Sequence, residues 1–430
     1  MGGMLDTLRN AWKIPDLRKK IFITIGMLII FRVGSHIPVP LLDANEFKKL
    51  VESGGSLFGL FDIIGGGALK LASIFAMSIT PYINAQIIMQ LLTVAIPKLE
   101  QMQKEGEEGR KKIGQISRIG TVVLGFVQAA GLYLSLSNAI VGGRSILSFL
   151  IITLTFTAGT AFLMWLGEQI TEFGVGNGIS LIIFAGIVSR GPQGLQALIT
   201  LYEGKQLGSG IFGILSLVGI CAVLLAVMAA VIWVNQAERK IPIQYAKRVV
   251  GRKIYGGQST HLPIKVNLAG VIPIIFAMSI MAFPSTIIGF FFSQSENPIV
   301  LFFKNSQNGV GYALVNALLI IFFTFFYTII QFNPIEIANN MKKNGGFIPG
   351  IRPGKPTSDY ISRVLNRITW FGGLFLAAVT VFPVFIGVAT GITGIWFSGT
   401  ALLILVGVAL DTVKQIESQM LMRHYKGFLE

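Results

Sequence analysis

The sequence predicts an all-α integral membrane protein of ten transmembrane helices, and three observations carry that prediction. Apolar residues make up 53% of the 430 and charged residues only 13%, too few to cover a water-soluble surface. The apolar residues gather into stretches close to the roughly 20 residues that cross a hydrocarbon core. The Lys and Arg, which outnumber Asp and Glu by 35 to 20, gather in alternate connections between those stretches. The 50 glycines fit the same class, because small residues let helices of a membrane bundle approach closely.

Taken in order, the spans are expected at 20–37, 72–95, 117–137, 146–167, 179–200, 211–235, 268–291, 312–334, 367–389 and 395–413. A basic stretch before the Ile21–Phe31 run imitates a secretory signal, but it has no small-x-small cleavage site and reads as a retained first helix. The apolar stretch 57–70 is interrupted by Gly65, Gly66 and Gly67. It is too short to cross and reads as a re-entrant half-helix, which a membrane tolerates only where protein or water shelters it. Cys221 falls inside an apolar run and reads as a small buried hydrophobe. His36, His261 and His424 are far apart, without ligand spacing, so no metal site is expected.

Basic residues set the orientation. Of the 35 Lys and Arg, 27 lie before the first span, in the connections after spans 2, 6 and 8, or after the tenth span. Only Lys48, Lys49, Arg144, Lys205 and Lys304 fall on the opposite side, while Arg32, Lys70 and Arg190 lie in or near spans. The rich face is therefore cytoplasmic, as are both termini. Ten spans divide into residues 1–208 and 209–430 with five in each. Five is odd, so any repeat of the halves must be inverted in the membrane. No convincing internal similarity accompanies that division.

Several chemistries are disfavoured. Ion-coupled transporters bury acids, bases or His at the coupling site. Here Arg32 sits toward the outer end of span 1, and Glu168 and Asp411 sit near helix ends. Gly350–Thr357 has three residues between its glycines where a phosphate loop needs four, and Pro356 stands where Ser or Thr should open a helix. No catalytic role or cofactor is expected, and energy from a nucleotide would have to come from a partner.

The connections 236–266 and 336–367 are far longer than simple turns and are rich in Lys, Arg, Gly and Pro. They suit docking to something acidic. Three surfaces fit: anionic phospholipid headgroups, ribosomal RNA phosphate, or the acidic face of a protein motor. Three functions compete: a passive channel, a secondary transporter with inverted repeats and a poreless scaffold. The lack of intramembrane charge separates the first from the second, and motif order separates all three.

An ordered set of motifs narrows this. It includes Phe31-Arg32-Val33-Gly34 with Ile37-Pro38-Val39-Pro40, Gly65-Gly66-Gly67-Ala68, Ser73-Ile74-Phe75-Ala76 and Pro81-Tyr82-Ile83. Met164–Thr171, Gly176-Asn177-Gly178-Ile179-Ser180, Gln258–Pro263 and Pro349-Gly350-Ile351-Arg352-Pro353-Gly354 follow. In these motifs, over essentially its whole length, the chain resembles the SecY family, the central subunits of the bacterial protein-conducting channel. The opening Met1-Gly2-Gly3-Met4 departs from the family's pattern.

The resemblance implies two inverted five-helix halves around an hourglass pore narrowed by a ring of aliphatic side chains. Carried over motif by motif, that ring is Ile79, Ile83, Ile179, Ile183, Ile275 and Ile404. Without the resemblance, each would read as ordinary bundle core. It also implies a plug, Leu57–Ala68, with Phe58, Leu60, Phe61, Ile63 and Ile64 as its apolar face and Gly65, Gly66 and Gly67 as its hinge. A lateral gate is implied between spans 2–3 and 7–8, with Gln128 and Asn267 as candidates for hydrogen bonding across the seam. Arg352, beside Lys247, Arg248, Arg252 and Lys253, is the implied docking site for a motor or ribosome. The implied partners are SecE and SecG small membrane subunits, the SecA motor ATPase, the ribosome, preproteins with their signal sequences, and anionic phospholipid. The implied location is the bacterial cytoplasmic membrane.

Overall fold

The computed structural model describes residues 9, 11–53, 65–136, 139–204, 211–245, 248–250, 253–255, 259–291, 302, 310–390 and 399–426. Each predicted span contains a helix, although the bounds differ. In chain order the first elements are α1 (Pro15–Gly34), α2 (Ala44–Ser53), α3 (Thr80–Ala95), α4 (Pro97–Lys104), α5 (Glu107–Ser135) and α6 (Ile146–Phe173). They are followed by α7 (Gly178–Ser189), α8 (Gly191–Glu203) and α9 (Ile211–Gln236). Strands β1 (Glu238–Tyr245), β2 (Arg248–Val250), β3 (Lys253–Tyr255) and β4 (Ser259–Lys265) come next. The chain continues with α10 (Ile272–Phe291), α11 (Val310–Gln331), α12 (Pro334–Lys343), β5 (Gly346–Phe347), α13 (Lys355–Thr390) and α14 (Gly399–Lys426).

Among the described residues, seven helical stretches are long and apolar enough to cross a membrane. Three predicted spans fall outside that set. The helix α1 carries Arg18, Lys19 and Lys20 near its start and Arg32 in its last turn, α10 counts only over Ile272–Ala282, and α3 has only 16 residues. The fifth span is two helices, α7 and α8, because Pro192 in the first turn of α8 ends the helical ladder at Arg190.

The largest departure from the sequence reading is the second span. Residues 65–79 form turns, and helix begins only at Thr80, so neither the expected half-helix over its described part nor the helix from 72 is present. Ala72 and Ser78 adopt positive φ (47° and 53°), a conformation that a helix cannot contain. Pro81 at the start of α3 lacks an N–H and suits a helix N-terminus. Irregular backbone at membrane depth survives only if its polar groups are paired and shielded from lipid. Here Val39 N donates to Ala72 O and Ile74 N to Ile37 O, tying the segment to the chain after α1. Ser73, Phe75, Ala76 and Ser78 are buried.

The segment also leans on α6, where Gly159 touches the Ile74 carbonyl so closely that a Cβ would overlap it. Gly159→Ala is therefore expected to destabilise the protein by about 1–3 kcal/mol through overpacking against backbone. A lowered thermal unfolding midpoint in detergent checks this; an unchanged midpoint means the segment yields instead.

Packing follows chain neighbours and a few crossings. The helix α5 packs against α3 and α6, α1 against α6 and α7, and α11 against α10 and α13. Between the two parts of the chain, α10 lies against α3 and α5, α14 against α7, and α8 against α9. The main apolar core draws on both sequence halves, from Phe31 and Ile79 through Ile183 and Ile274 to Leu410. A second core lies under α2, around Phe47, Leu132, Tyr133, Ile152 and Phe156.

One further expectation is corrected. Cys221 is exposed on α9 rather than buried; its neighbours Leu215, Val218 and Leu225 are exposed too, so this helix packs against the other described residues with little of its surface. The 236–266 and 336–367 connections hold strands that the sequence reading did not place. They carry a three-stranded sheet in the order β4-β1-β5, which joins them, and the β2-β3 hairpin.

Candidate functional site

The six isoleucines sit where helices begin or cross the centre of the main core. Ile79 is the N-terminal cap residue of α3, and Ile83 follows one turn later, with Ile83 N donating to Ile79 O. Residues four apart share a helix face. The same spacing recurs on α7, with Ile179 and Ile183. There Asn177 Oδ1 caps the helix by accepting from Ser180 N, and Gly178 N donates to Thr171 Oγ1 on α6. Ile275 lies in the first turn of α10, and Ile404 one turn into α14. All six belong to one apolar cluster. Ile79, Ile83, Ile183 and Ile404 are each 7% exposed or less, while Ile179 and Ile275 are half-buried against them. Four helices from distant parts of the chain thus contribute these β-branched side chains, stiff at χ1, to one apolar core.

Of the expected plug, Phe58, Leu60, Phe61, Ile63 and Ile64 lie outside the described residues, whereas Gly65, Gly66 and Gly67 are described. Gly66 (φ 65°) rests on the end of α7, where a Cβ would come within 2.8 Å of Gly186 Cα. Its carbonyl accepts from the Arg32 guanidinium at 3.0 Å. Reading the sequence gave Arg32 no partner; the available signal was an arginine in a span, which usually has a job there.

Asn267 is buried in the turn before α10, and its Nδ2 donates to Asn235 Oδ1 at the end of α9, 2.7 Å away. Its own Oδ1 has no hydrogen-bond partner among the described residues. Gln128, half-buried on α5, therefore does not donate to it. A pair that sequence reading missed links the N-terminal part of α5 with the C-terminal part of α6, where Arg118 Nε lies 2.8 Å from Glu168 Oε1. It accounts for a carboxylate that looked merely solvated.

In the basic connections, β1 pairs antiparallel with β4 from Glu238 to Gln244 and with β5 through Gln244 and Tyr245. The alternation in Lys240-Ile241-Pro242-Ile243-Gln244 was a readable strand signal. Its apolar face, Ile241 and Ile243, packs with Ile264, Met341, Ile348, Ile361 and Leu365 into a separate small core. Arg352 stands exposed at a turn on this body. Gly350 and Gly354 flank it with φ of 80° and 105°, and Thr357 Oγ1 donates to the Arg352 carbonyl at 2.9 Å. The turn is thereby fixed while the guanidinium faces solvent. Arg239, Lys240, Lys342, Lys343, Lys355, Arg363 and Arg367 are exposed on the same elements. Arg248 and Lys253 lie on the β2-β3 hairpin, and Lys247 and Arg252 lie outside the described residues.

Comparison with known proteins gives these features a common frame. The SecY family model matches residues 73–413. The chain is 51% identical to the protein translocase subunit SecY of Halalkalibacterium halodurans, over 99% of this chain and all of that one. It is 46% identical to the Bacillus subtilis protein of the same name, with the same coverage. Among solved structures it resembles one described as a protein-conducting channel, with a TM-score of 0.63 at 18% identity over 96% of this chain and 97% of that one. It also resembles Sec61 in a canine ribosome–channel complex, with a TM-score of 0.62 at 18% identity over the same shares. A near-complete match at half identity, joined to a match of the family model across most of the helices, leaves one assignment: the chain belongs to the SecY family.

Proposed function

We propose that this chain forms a protein-conducting channel that passes unfolded preproteins across a membrane and releases membrane segments sideways into lipid. The observation that carries the reading is the convergence of Ile79, Ile83, Ile179, Ile183, Ile275 and Ile404 on one apolar cluster from four helices. Such a ring disfavours water and ions by dewetting, and it makes no directional bond to what passes. A chain of any sequence can slide through it. Burial of four of the six supports a sealed resting channel.

The two halves, 1–208 and 209–430, would open along the seam where α10 lies against α3 and α5. Asn267 would act there through Asn235 rather than through Gln128, holding the start of α10 to the end of α9. The plug would occupy the outer side of the ring. The exposed basic body around Arg352 would receive the SecA motor or the ribosome, and anionic phospholipid would meet the remaining Lys and Arg. SecE and SecG would complete the membrane complex. The location would be the bacterial cytoplasmic membrane, with the sheet and both termini on the cytoplasmic side, as the distribution of basic residues requires.

Deleting Leu57–Ala68 tests the sealed-channel reading. Ion conductance of the purified channel in planar bilayers is expected to rise. Conductance equal to the full-length protein would count against the plug.

A further inference from the structure

The helix α5 touches both sides of the proposed seam: α3 and α6 from its own half, and α10 from the other. Toward its own half it presents small residues. A Cβ at Gly120 would stand 3.7 Å from Ala85 Cβ on α3. One at Gly125 would stand 3.8 Å from Thr157 on α6 and 3.9 Å from Pro81 on α3. Ser117 and Thr121 are buried on α5, but Thr121 Oγ1 donates to Ser117 O within the helix itself. Small residues let helices come close, yet they supply few side chains that interlock. Packing of this kind leaves open which neighbour α5 follows when the seam parts.

Polar links to α6 bear on that choice, one toward each end of α5. Tyr133 Oη lies 3.0 Å from Ser148 Oγ in the first turn of α6. At the other end Arg118 Nε donates to Glu168 Oε1 at 2.8 Å. An exposed ion pair in bulk water contributes little, but this one is placed differently. No charged residue follows Arg118 up to the end of α5 at Ser135, and none precedes Glu168 on α6 from Ile146 onward. Each group is thus the last charge on its helix before an uncharged stretch, at the edge of the hydrocarbon, where charges are less screened than in water. The helix α10 offers nothing comparable. Ile272–Phe291 contains no Asp, Glu, Lys, Arg or His, so no ion pair can tie it to α5.

From this we infer that Arg118 and Glu168 are positioning residues for sideways release: their ion pair binds α5 to α6, so that the seam parts between α5 and α10. The inference rests on the seam reading and deepens it. With the pair in place, α5 stays with its own half and a membrane segment finds a gap beside α10. Without it, α5 can follow α10 and the gap narrows. Passage straight through the ring does not need the pair, so the two fates of a translocating segment should respond to it differently.

The test uses the native complex in proteoliposomes and a preprotein with an internal apolar segment of intermediate hydrophobicity, which is either released into lipid or passed across. The ratio of released to passed segments is read for the native chain, Arg118→Glu, Glu168→Arg and the variant carrying both substitutions. Each single reversal sets two like charges together and is expected to lower the ratio about tenfold, or about 1.4 kcal/mol. The double variant restores the pair and should return the ratio close to the native value. A merely structural pair would lower the unfolding midpoint and the total of processed chains while leaving the ratio alone. A native ratio in both single variants therefore overturns the inference, as does a double variant no better than the singles. If the reversals do not accumulate in membranes, Arg118→Gln and Glu168→Gln carry the test, and native ratios in both overturn it. The seam reading fails separately: a native channel that passes every segment across, however apolar, has no sideways exit.

Discussion

Replacing Ile83 and Ile183 with glycine is expected to turn a tight resting channel into one that conducts ions continuously. The two side chains come from α3 and α7, and both are buried in the shared apolar cluster. Removing both leaves a gap lined by backbone amides, which can bind water where the isoleucines exclude it. Truncating a buried isoleucine also costs about 2–5 kcal/mol of stability, so leak must be separated from partial unfolding. Ile152→Gly provides the control, since Ile152 is fully buried in the second core, away from the six. It should lower the unfolding midpoint to a similar degree and leave the membrane barrier intact. Equal leak in both proteins would make the six isoleucines ordinary core.

Arg352→Glu is the other substitution with a large expected effect. The turn is held by Gly350, Gly354 and the Thr357–Arg352 hydrogen bond, none of which needs the guanidinium. The variant should therefore fold, insert and stay sealed. Reversing a charge that meets an acidic partner costs several kcal/mol, because attraction becomes like-charge repulsion. A loss of motor-driven export of about tenfold or more is expected, as 1.4 kcal/mol already suffices for that factor. The measurement is translocation of a preprotein into proteoliposomes with the motor added. Undiminished export would move the docking site elsewhere on the basic body.

The membrane helices were legible because they are apolar runs of the right length, and the same signal misled in one place. Residues 72–79 are as apolar as a helix would be, but Ala72 and Ser78 adopt positive φ, which neither residue type announces. What holds that segment is distant: Ile37, Val39 and Gly159. The break between α7 and α8 was readable in Gly191-Pro192, yet the run passed as one span. In the long basic connections, charge density hid the strands. Ile241 and Ile243 alternate with polar neighbours, but their core partners Ile348, Ile361 and Leu365 are about a hundred residues away. The six isoleucines could be singled out only through family resemblance, since an isoleucine at a constriction and one in a core look the same in sequence. Arg32 was visible as an intramembrane charge, and its acceptor was a backbone carbonyl that no sequence pattern marks.

The central claim, that a polypeptide passes through the ring of isoleucines, is tested most directly by cross-linking. A photoreactive amino acid is placed in turn at Ile83, Ile183, Ile275 and Ile404, and at Trp233 on the exposed face of α9. A preprotein is then arrested midway by a folded C-terminal domain, and cross-links are read from each position. The account predicts adducts from all four ring positions and none from Trp233. Adducts absent from the ring, or equally strong at Trp233, would contradict it.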